Sequence, residues 1–223
     1  MTRALKSERR GPASGGKAKT AVVFLHGYGA DGSDLLGLAD PLGPHLPDTV
    51  FFAPDAPENC TANPFGFQWF PIPWLDGSSE EQALAGLAAA AEDLNAFLDR
   101  ILQEEGLGPE QLALVGFSQG TMISLHVALR RAEAVAGVVG FSGRLMVPER
   151  LEAEKLASPP VLLIHGDQDE VVPLASLPQA ADALVAAGIE TYTHVSKGTG
   201  HGIAHDGLSL ALSFLREKMP PQG

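Results

Sequence analysis

The feature that most constrains the fold of this chain is a series of apolar runs, most of which are separated by segments with helical spacing. The six runs are TAVVFLH (residues 20–26), TVFFA (49–53), LALVGF (112–117), AGVVGF (136–141), VLLIH (161–165) and TYTHV (191–195). Strands that are apolar throughout are typical of a sheet covered on both faces. Their alternation with helices predicts an α/β fold with a mostly parallel central sheet.

The clearest helical segment lies between the second and third runs. Ser79 and Gln82 have the spacing of a capping box at its start, and Gly106 is placed to end it. Further helices are predicted at about residues 119–131, 176–187 and 207–218. The apolar residues of the first segment recur at intervals of three and four, on one helix face: Leu84, Leu87, Ala91, Leu94, Leu98 and Ile101.

Length and composition favour one domain that binds neither nucleic acid nor a membrane. A chain of 223 residues, 45% of them hydrophobic, can bury one substantial core. Its net charge of −12 argues against nucleic acid and anionic membrane surfaces as partners. No apolar run reaches the ~18 residues of a membrane-spanning helix, and a single cysteine, Cys60, fits a reducing compartment. We therefore expect a cytoplasmic protein without stable membrane insertion.

Positive charge is concentrated at the N-terminus. This segment is polar, contains glycine and serine, and has no apolar stretch of secretory length. We expect residues 1–19 to form a basic, flexible arm and residues 20–223 to form a single domain. Against one acidic residue, Glu8, the segment holds six basic ones: Arg3, Lys6, Arg9, Arg10, Lys17 and Lys19.

A glycine-flanked serine follows the third apolar run. The segment GFSQG (116–120) is the only G-x-S-x-G of the chain and lies between a predicted strand and a predicted helix. In that context the tight turn needs small flanking residues and projects the serine hydroxyl above the sheet edge. The free N–H groups of the following helix favour negative charge that forms nearby. The pattern predicts Ser118 as a nucleophile.

A nucleophilic serine needs a base, and the base needs an acid that orients it. In the chain order serine, acid, histidine, VLLIHGDQDEVVP (161–173) supplies Asp167 and Asp169 just after a strand. His201 follows in the glycine-rich segment VSKGTGHGIAHDG (195–207). Loops that follow parallel strands meet at one sheet edge, so we expect these side chains to lie near Ser118.

Six ordered blocks of the sequence carry a resemblance to a known family: FLHGYGADGSDL (24–35), FFAPDAP (51–57), WF (69–70), LVGFSQG (114–120), HGDQDEVVP (165–173) and GHGI (200–203). Together they resemble the carboxylesterase, phospholipase and acyl-protein thioesterase family of the α/β-hydrolases. The resemblance implies Ser118 as nucleophile, Asp169 and not Asp167 as acid, and His201 as base. We expect the α/β-hydrolase fold, with helices on both faces of the sheet and no large cap domain, for residues 20–223.

The same resemblance implies an oxyanion hole formed by the backbone N–H groups of Tyr28 and Gln119. Two residues differ from those that are usual in the family. Tyr28 stands where leucine is usual, and Thr121 stands where a small glycine or alanine is usual. Both changes add bulk beside the nucleophile.

The segment FLHGYGADG (24–32) has a second interpretation. Its three glycines have the G-x-G-x-x-G spacing of a dinucleotide site, and Asp55 lies at about the distance of a ribose-binding acid. A dinucleotide fold expects an uninterrupted helix after the third glycine, whereas Pro41 and Pro44 interrupt this segment early. We therefore interpret the segment as an oxyanion loop, in which the glycines let the backbone turn closely.

The long irregular connection over residues 54–77 is rich in aromatic residues. Long loops in compact domains tend to be functional. We predict that this loop forms a wall over an apolar acyl or alcohol pocket. With Thr121, whose bulk narrows the site, the predicted substrate-binding residues are Phe65, Phe67, Trp69 and Phe70, and Trp74 lies in the same loop.

No cofactor or metal is predicted. GPASGGKA (11–18) lacks the hydroxyl residue of a phosphate-binding loop, HGIAH (201–205) lacks the glutamate of a zinc-protease helix, and His126 and His165 are interpreted as packing residues.

The predicted function is a serine carboxylesterase for short- to medium-chain esters. Acyl-protein thioesterase or lysophospholipase activity are the alternatives, and a nucleotide-binding oxidoreductase or a non-catalytic binding protein is less favoured. A small-molecule ester or thioester is the expected partner, and a homodimer is compatible with the sequence.

Overall fold

The six apolar runs form strands of one seven-stranded sheet in a computed structural model that describes residues 2–221. The strand order is β1-β3-β2-β6-β7-β8-β9, and every neighbouring pair is parallel except β1 with β3. β4 and β5 pair separately. The strands are β1 (Ser7–Arg10), β2 (Thr20–Leu25), β3 (Thr49–Pro54), β4 (Glu58–Asn59), β5 (Phe67–Gln68), β6 (Leu112–Phe117), β7 (Gly137–Phe141), β8 (Val161–Gly166) and β9 (Thr191–Ser196).

Eight α-helices within the described residues connect these strands or follow them. They are α1 (Gly32–Leu36), α2 (Ala39–Leu42), α3 (Pro73–Asp76), α4 (Glu80–Glu105), α5 (Gln119–Ala128), α6 (Leu151–Glu154), α7 (Ser176–Ala186) and α8 (His205–Lys218). Short 3₁₀ turns cover Gly43–His45, Pro109–Gln111 and Pro148–Arg150. No helix within residues 2–221 is long and apolar enough to cross a membrane.

The sheet separates two hydrophobic clusters, because successive side chains of a strand point to opposite faces. In β2, Ala21, Val23 and Leu25 belong to the cluster that includes buried residues of α4, α5 and α7. Val22 and Phe24 belong to the other cluster, with residues of α1, α2 and α8. The predicted mostly parallel sheet with helices on both faces is confirmed.

Helix α4 begins and ends where the sequence predicts. The Ser79 hydroxyl accepts a hydrogen bond from the Gln82 backbone N–H, and the Gln82 side chain accepts one from the Ser79 backbone N–H. Gly106 ends the helix in the left-handed conformation (φ +66°), which glycine adopts without steric cost. Both ends are therefore set by local sequence.

The N-terminal segment differs from the flexible arm expected for residues 1–19. Ser7–Arg10 adds an antiparallel edge strand to β3, and Leu5 and Ala18 are buried. Asp93 of α4, only 3% exposed, accepts hydrogen bonds from the Arg3 backbone N–H (2.6 Å) and Nε (2.7 Å). The prediction of a flexible arm considered the positive charges of this segment but not the acidic residues elsewhere in the chain that pair with them. Further ion pairs join Lys6 to Asp55, Arg9 to Glu105, Arg10 to Asp40 and Lys19 to Asp48.

The connection from β3 to α4 is the longest excursion from the sheet. It contains only the two-residue strands β4 and β5 and the four-residue helix α3. The connection therefore consists of short elements and does not form a separate cap domain.

We expect Arg3→Ala to lower the free energy of unfolding by about 1–2 kcal/mol, because the buried Asp93 carboxylate loses a charge-assisted hydrogen bond. The matched change Arg10→Ala removes an ion pair between exposed side chains and should cost at most about 1 kcal/mol. Urea unfolding followed by circular dichroism measures both. Equal effects of the two changes would show that the Arg3–Asp93 contact contributes no more than a surface pair.

Candidate active site

Ser118 occupies a strained turn between β6 and α5. Its backbone has φ +53° and ψ −114°, a conformation that non-glycine residues rarely adopt. The flanking glycines are required by close packing, because a Cβ on Gly116 would lie 2.4 Å from the Gly120 carbonyl oxygen. A Cβ on Gly120 would lie 1.7 Å from the Leu25 carbonyl oxygen. This packing forces the turn that presents Ser118.

Thr121 supports this turn from inside the protein. Its side chain is buried, and its hydroxyl lies 2.8 Å from the carbonyl oxygens of both Gly116 and Phe141. The Ser118 backbone N–H donates to the same Phe141 carbonyl at 2.8 Å. Thr121 therefore joins the serine turn to β7, which corrects its predicted role as a substrate contact.

His201 and Asp169 form a hydrogen-bonded pair near Ser118. His201 Nδ1 lies 2.8 Å from Asp169 Oδ2, and the other carboxylate oxygen accepts hydrogen bonds from the backbone N–H groups of Val171 (2.9 Å) and Val172 (2.8 Å). Burial alone would raise the pKa of Asp169, but the hydrogen bonds from His201 and the two amides outweigh it and lower the pKa. Asp169 is therefore held as a carboxylate.

The two neighbouring aspartates have different partners. Asp167 Oδ1 accepts a hydrogen bond from the Gly198 backbone N–H at 2.6 Å, and its side chain is exposed. The side chain of Asp169 is fully buried and faces His201. Asp167 thus links two loops, and Asp169 is the carboxylate that the fold brings to the histidine.

A second histidine also faces Asp169. His165 Nε2, at the end of β8, lies 3.3 Å from Asp169 Oδ2 and 2.9 Å from the Val172 carbonyl oxygen. The sequence interpretation treated His165 only as a packing residue. The four-residue separation of His165 and Asp169 did not reveal this contact, because it depends on the turn of the loop after the strand.

The two predicted oxyanion amides belong to Gln119, which directly follows Ser118, and to Tyr28, in the loop after β2. Gln119 is the first residue of α5, so its N–H has no acceptor within the helix. The Tyr28 N–H makes no hydrogen bond to residues 2–221. Its loop passes close to the serine, since a Cβ on Gly27 would lie 3.5 Å from the Ser118 Cβ.

His26 fixes the start of this loop. The Ala56 backbone N–H donates to His26 Nε2 at 2.9 Å, so the ring's proton is on Nδ1, which donates to the Gly27 carbonyl oxygen at 2.7 Å. Burial lowers the pKa of His26, and the hydrogen bond to Gly27 opposes that effect. A neutral His26 thus connects the loop to the chain after β3.

Trp69 and Phe70 support the loop that contains Tyr28, and neither of them lines the substrate pocket. Trp69 is fully buried, and its indole N–H donates to the His26 carbonyl oxygen at 3.0 Å. The Gln119 side chain accepts from the Trp69 backbone N–H (2.9 Å) and donates to the Phe70 carbonyl oxygen (2.7 Å). The aromatic pair therefore positions Gln119 and the loop, which corrects the prediction made for these two residues.

A cavity of about 220 Å³ opens at Ser118 and His201. Phe65, which is 90% exposed, and Phe67 of β5 do not line it, so Trp74 is the only aromatic residue of the 54–77 loop that does. Ile72 and Leu75 of the same predicted loop also line it, whereas Met122, one helical turn after Ser118, was not predicted. The remaining lining residues are Gly27, Tyr28, Ala30, Asp34, Ile72, Leu75, Phe117, Met122, Val171 and Val172.

The cavity is apolar for most of its surface, and its outer rim is exposed. Trp74, Leu75 and Val171 line it while remaining more than half exposed to solvent. Burial raises the pKa of the Tyr28 hydroxyl in its wall. In the part of the chain that the structure describes, no group of three or more His, Cys, Asp or Glu side chains is placed to hold a metal ion.

We expect Gly120→Ala to lower the free energy of unfolding by about 3 kcal/mol or more, because the added methyl group overlaps the backbone of β2. Gly37→Ala is the matched control, since its Cβ would meet no atom within 4 Å and its φ is −57°. That change should be neutral or stabilise the protein by up to about 1 kcal/mol. Thermal unfolding compares them, and an unaffected Gly120→Ala protein would contradict the packing described above.

Comparisons with known proteins identify the family of this chain. Residues 12–219 match the family model described as Phospholipase/Carboxylesterase. The chain is 27% identical over 204 residues to Esterase YpfH of Escherichia coli strain K12, covering 91% of this chain and 84% of that protein. It is 31% identical over 216 residues to Acyl-protein thioesterase 1 of Saccharomyces cerevisiae, covering 91% and 94%.

A solved structure gives the same result. The crystal structure of esterase PE8 superposes with a TM-score of 0.92 at 46% identity, over 97% of this chain and 100% of that one. The α/β-hydrolase fold predicted from the sequence is therefore confirmed. The chain belongs to the phospholipase/carboxylesterase family of the α/β-hydrolases, a family of ester-hydrolysing enzymes.

Proposed function

We propose that this protein is a serine carboxylesterase that hydrolyses short- to medium-chain esters through an acyl-enzyme intermediate. One observation carries the proposal: the strained turn presents Ser118 at the same apolar cavity that His201 lines, and His201 is hydrogen-bonded to a buried carboxylate. A nucleophile, a base and the acid that orients the base are thus supplied by three loops at one sheet edge.

In this mechanism His201 removes the proton of Ser118 as its hydroxyl oxygen attacks the acyl carbon. Asp169 accepts from His201 Nδ1–H, which leaves Nε2 free to act as the base, and stabilises the imidazolium that forms. His201 then protonates the departing alcohol. Water, activated by the same histidine, releases the acid and restores the serine.

The backbone N–H groups of Tyr28 and Gln119 stabilise the oxyanion of the tetrahedral intermediate. Two preorganised donors suit this role because they gain strength as the carbonyl oxygen becomes negative. Support comes from the rigid attachment of both residues. His26 and Trp69 hold the Tyr28 loop, and the Gln119 side chain is fixed by two hydrogen bonds to the chain at Trp69 and Phe70.

The size of the cavity supports short acyl chains. Pockets for drug-sized ligands measure roughly 300–1,000 Å³, whereas this cavity measures about 220 Å³. Tyr28 and Met122 occupy space in its walls. The bulk at Tyr28 that was noted in the sequence therefore lies where it limits chain length.

Thioester hydrolysis is a second candidate, favoured by the 31% identity to a yeast acyl-protein thioesterase. The same catalytic groups act on either bond, so the leaving group decides the preference. Comparison of kcat/KM for butanoyl thioesters and butanoate esters distinguishes the two activities.

We expect Asp169→Asn to lower kcat by about 10³-fold or more, because an amide donates to the imidazole and selects the wrong tautomer. Asp167→Asn is the matched control, since it only replaces the charged acceptor of the Gly198 N–H with a weaker amide oxygen. It should cost about 1 kcal/mol of stability and leave kcat nearly unchanged. Steady-state hydrolysis of 4-nitrophenyl acetate measures both, and the reverse order of effects would contradict the assigned acid.

We expect kcat/KM to rise roughly fourfold for each added methylene while the acyl chain remains inside the cavity, from about 0.8 kcal/mol per buried CH₂. Met122→Ala should move the optimum to longer chains, because it removes a wall of the cavity. Met219→Ala, which alters a buried methionine of the opposite cluster, should leave the profile unchanged. Hydrolysis of 4-nitrophenyl esters from acetate to decanoate provides the profiles, and identical profiles for the two variants would show that Met122 does not limit the chain.

A further inference from the structure

A second cavity, of about 390 Å³, is lined in part by Arg144, whose guanidinium contacts Trp74 of the catalytic cavity. The mechanism proposed above does not use it. Arg144 is three residues beyond the end of β7 and therefore at the same sheet edge as Ser118. Residues that line this second cavity include Arg144, Leu145, Met146, Ser176 and Gln179.

Arg144 forms no hydrogen bond or ion pair with the described residues 2–221. It is half-buried, its Nε is buried without a hydrogen-bond partner, and no carboxylate within residues 2–221 forms an ion pair with it. Arg150 and Arg216, which also lack ion pairs with the described residues, are exposed. The six other arginines of the chain all pair with carboxylates: Arg3, Arg9, Arg10, Arg100, Arg130 and Arg131.

Two contacts connect Arg144 to the catalytic cavity. Its guanidinium carbon lies 4.5 Å from the ring centroid of Trp74, and Trp74 lines the catalytic cavity. The preceding residue, Gly143, packs on the nucleophile, since a Cβ there would lie 3.0 Å from the Ser118 carbonyl oxygen. Trp74 therefore contacts the Arg144 guanidinium and also lines the catalytic cavity.

The carboxylates nearest to Arg144 do not pair with it, which leaves its guanidinium available to an anion. Glu80 and Glu149 line the same cavity, but both are exposed to solvent, and neither lies within ion-pair distance of Arg144. Burial lowers the pKa of Arg144, and the more distant carboxylate of Glu80 opposes that effect. A partly buried guanidinium without acceptors is unfavourable, and its planar fork matches the two oxygens of a carboxylate.

We infer that Arg144 binds a carboxylate carried by the ester substrate, so that the protein prefers esters that bear a second, ionised acid group. This inference rests on the proposed esterase function and specifies its substrate class. Arg144 is thereby a specificity-determining residue, with Trp74 as the flat surface behind its guanidinium.

Two matched pairs of esters test the preference. Monoethyl adipate against ethyl hexanoate places the charge on the acyl side, and 4-acetoxybenzoate against phenyl acetate places it on the leaving-group side. Arg144→Met should lower kcat/KM for the charged member of at least one pair by about tenfold to a hundredfold, as expected for a lost charge-assisted hydrogen bond. The uncharged member should change less than about twofold, and the exposed-site control Arg150→Met should change neither.

Equal losses for charged and uncharged esters would overturn the inference, because they would show that Arg144 only supports Trp74. Unchanged kinetics with all four esters would overturn it as well. Arg144→Lys provides a further check, since it keeps the charge and should retain part of the preference.

A binding measurement separates this inference from the proposed hydrolysis. Calorimetry with the Ser118→Ala protein should show that the charged esters bind at least about tenfold more tightly than they do to Ser118→Ala/Arg144→Met. Equal binding by the two proteins would overturn the role of Arg144 even if the esters are hydrolysed. Absence of hydrolysis by the unmodified protein, with Arg144-dependent binding retained, would instead reject the esterase function alone.

Discussion

The close approach of helix α5 to strand β2 is the constraint on which the site depends. Gly120 packs directly on the Leu25 carbonyl, where a Cβ would lie 1.7 Å from the oxygen. The chain can enter the helix at this distance only through a tight turn, and Ser118 takes the positive-φ conformation that the turn requires. Hydrophobic burial on both faces of the sheet holds strand and helix together, so the energy of the core maintains the strain at the serine.

A second set of contacts fixes the loop opposite the serine. The neutral His26 ring joins that loop to the chain after β3, and the Trp69 indole N–H donates to the His26 carbonyl oxygen. Gln119 completes the set because its side chain bonds to the chain at Trp69 and Phe70 while its backbone N–H remains unused by the helix. Residues on three segments thus position the two backbone amides to which we assign stabilisation of the oxyanion.

Sequence patterns predicted what is set locally and missed what depends on distant partners. The apolar runs identified six of the seven strands of the sheet, and the capping residues placed both ends of α4. Trp69 was misjudged as a pocket wall because its burial follows from hydrogen bonds to residues 43 and 50 positions away. The ordered N-terminal strand was missed for the same reason, since Arg3 is held by Asp93, which lies 90 positions further along the chain.

The central claim is that Ser118 is the nucleophile, and its replacement by alanine tests this most directly. Ser142→Ala is a matched control, because Ser142 is also buried, has a positive φ (+47°) and follows the neighbouring strand β7. Turnover of 4-nitrophenyl acetate should fall by a factor on the order of 10⁵ to 10⁶ in Ser118→Ala and remain within about tenfold of the original in Ser142→Ala. A Ser118→Ala protein that folds normally and keeps a tenth of the activity would contradict the account.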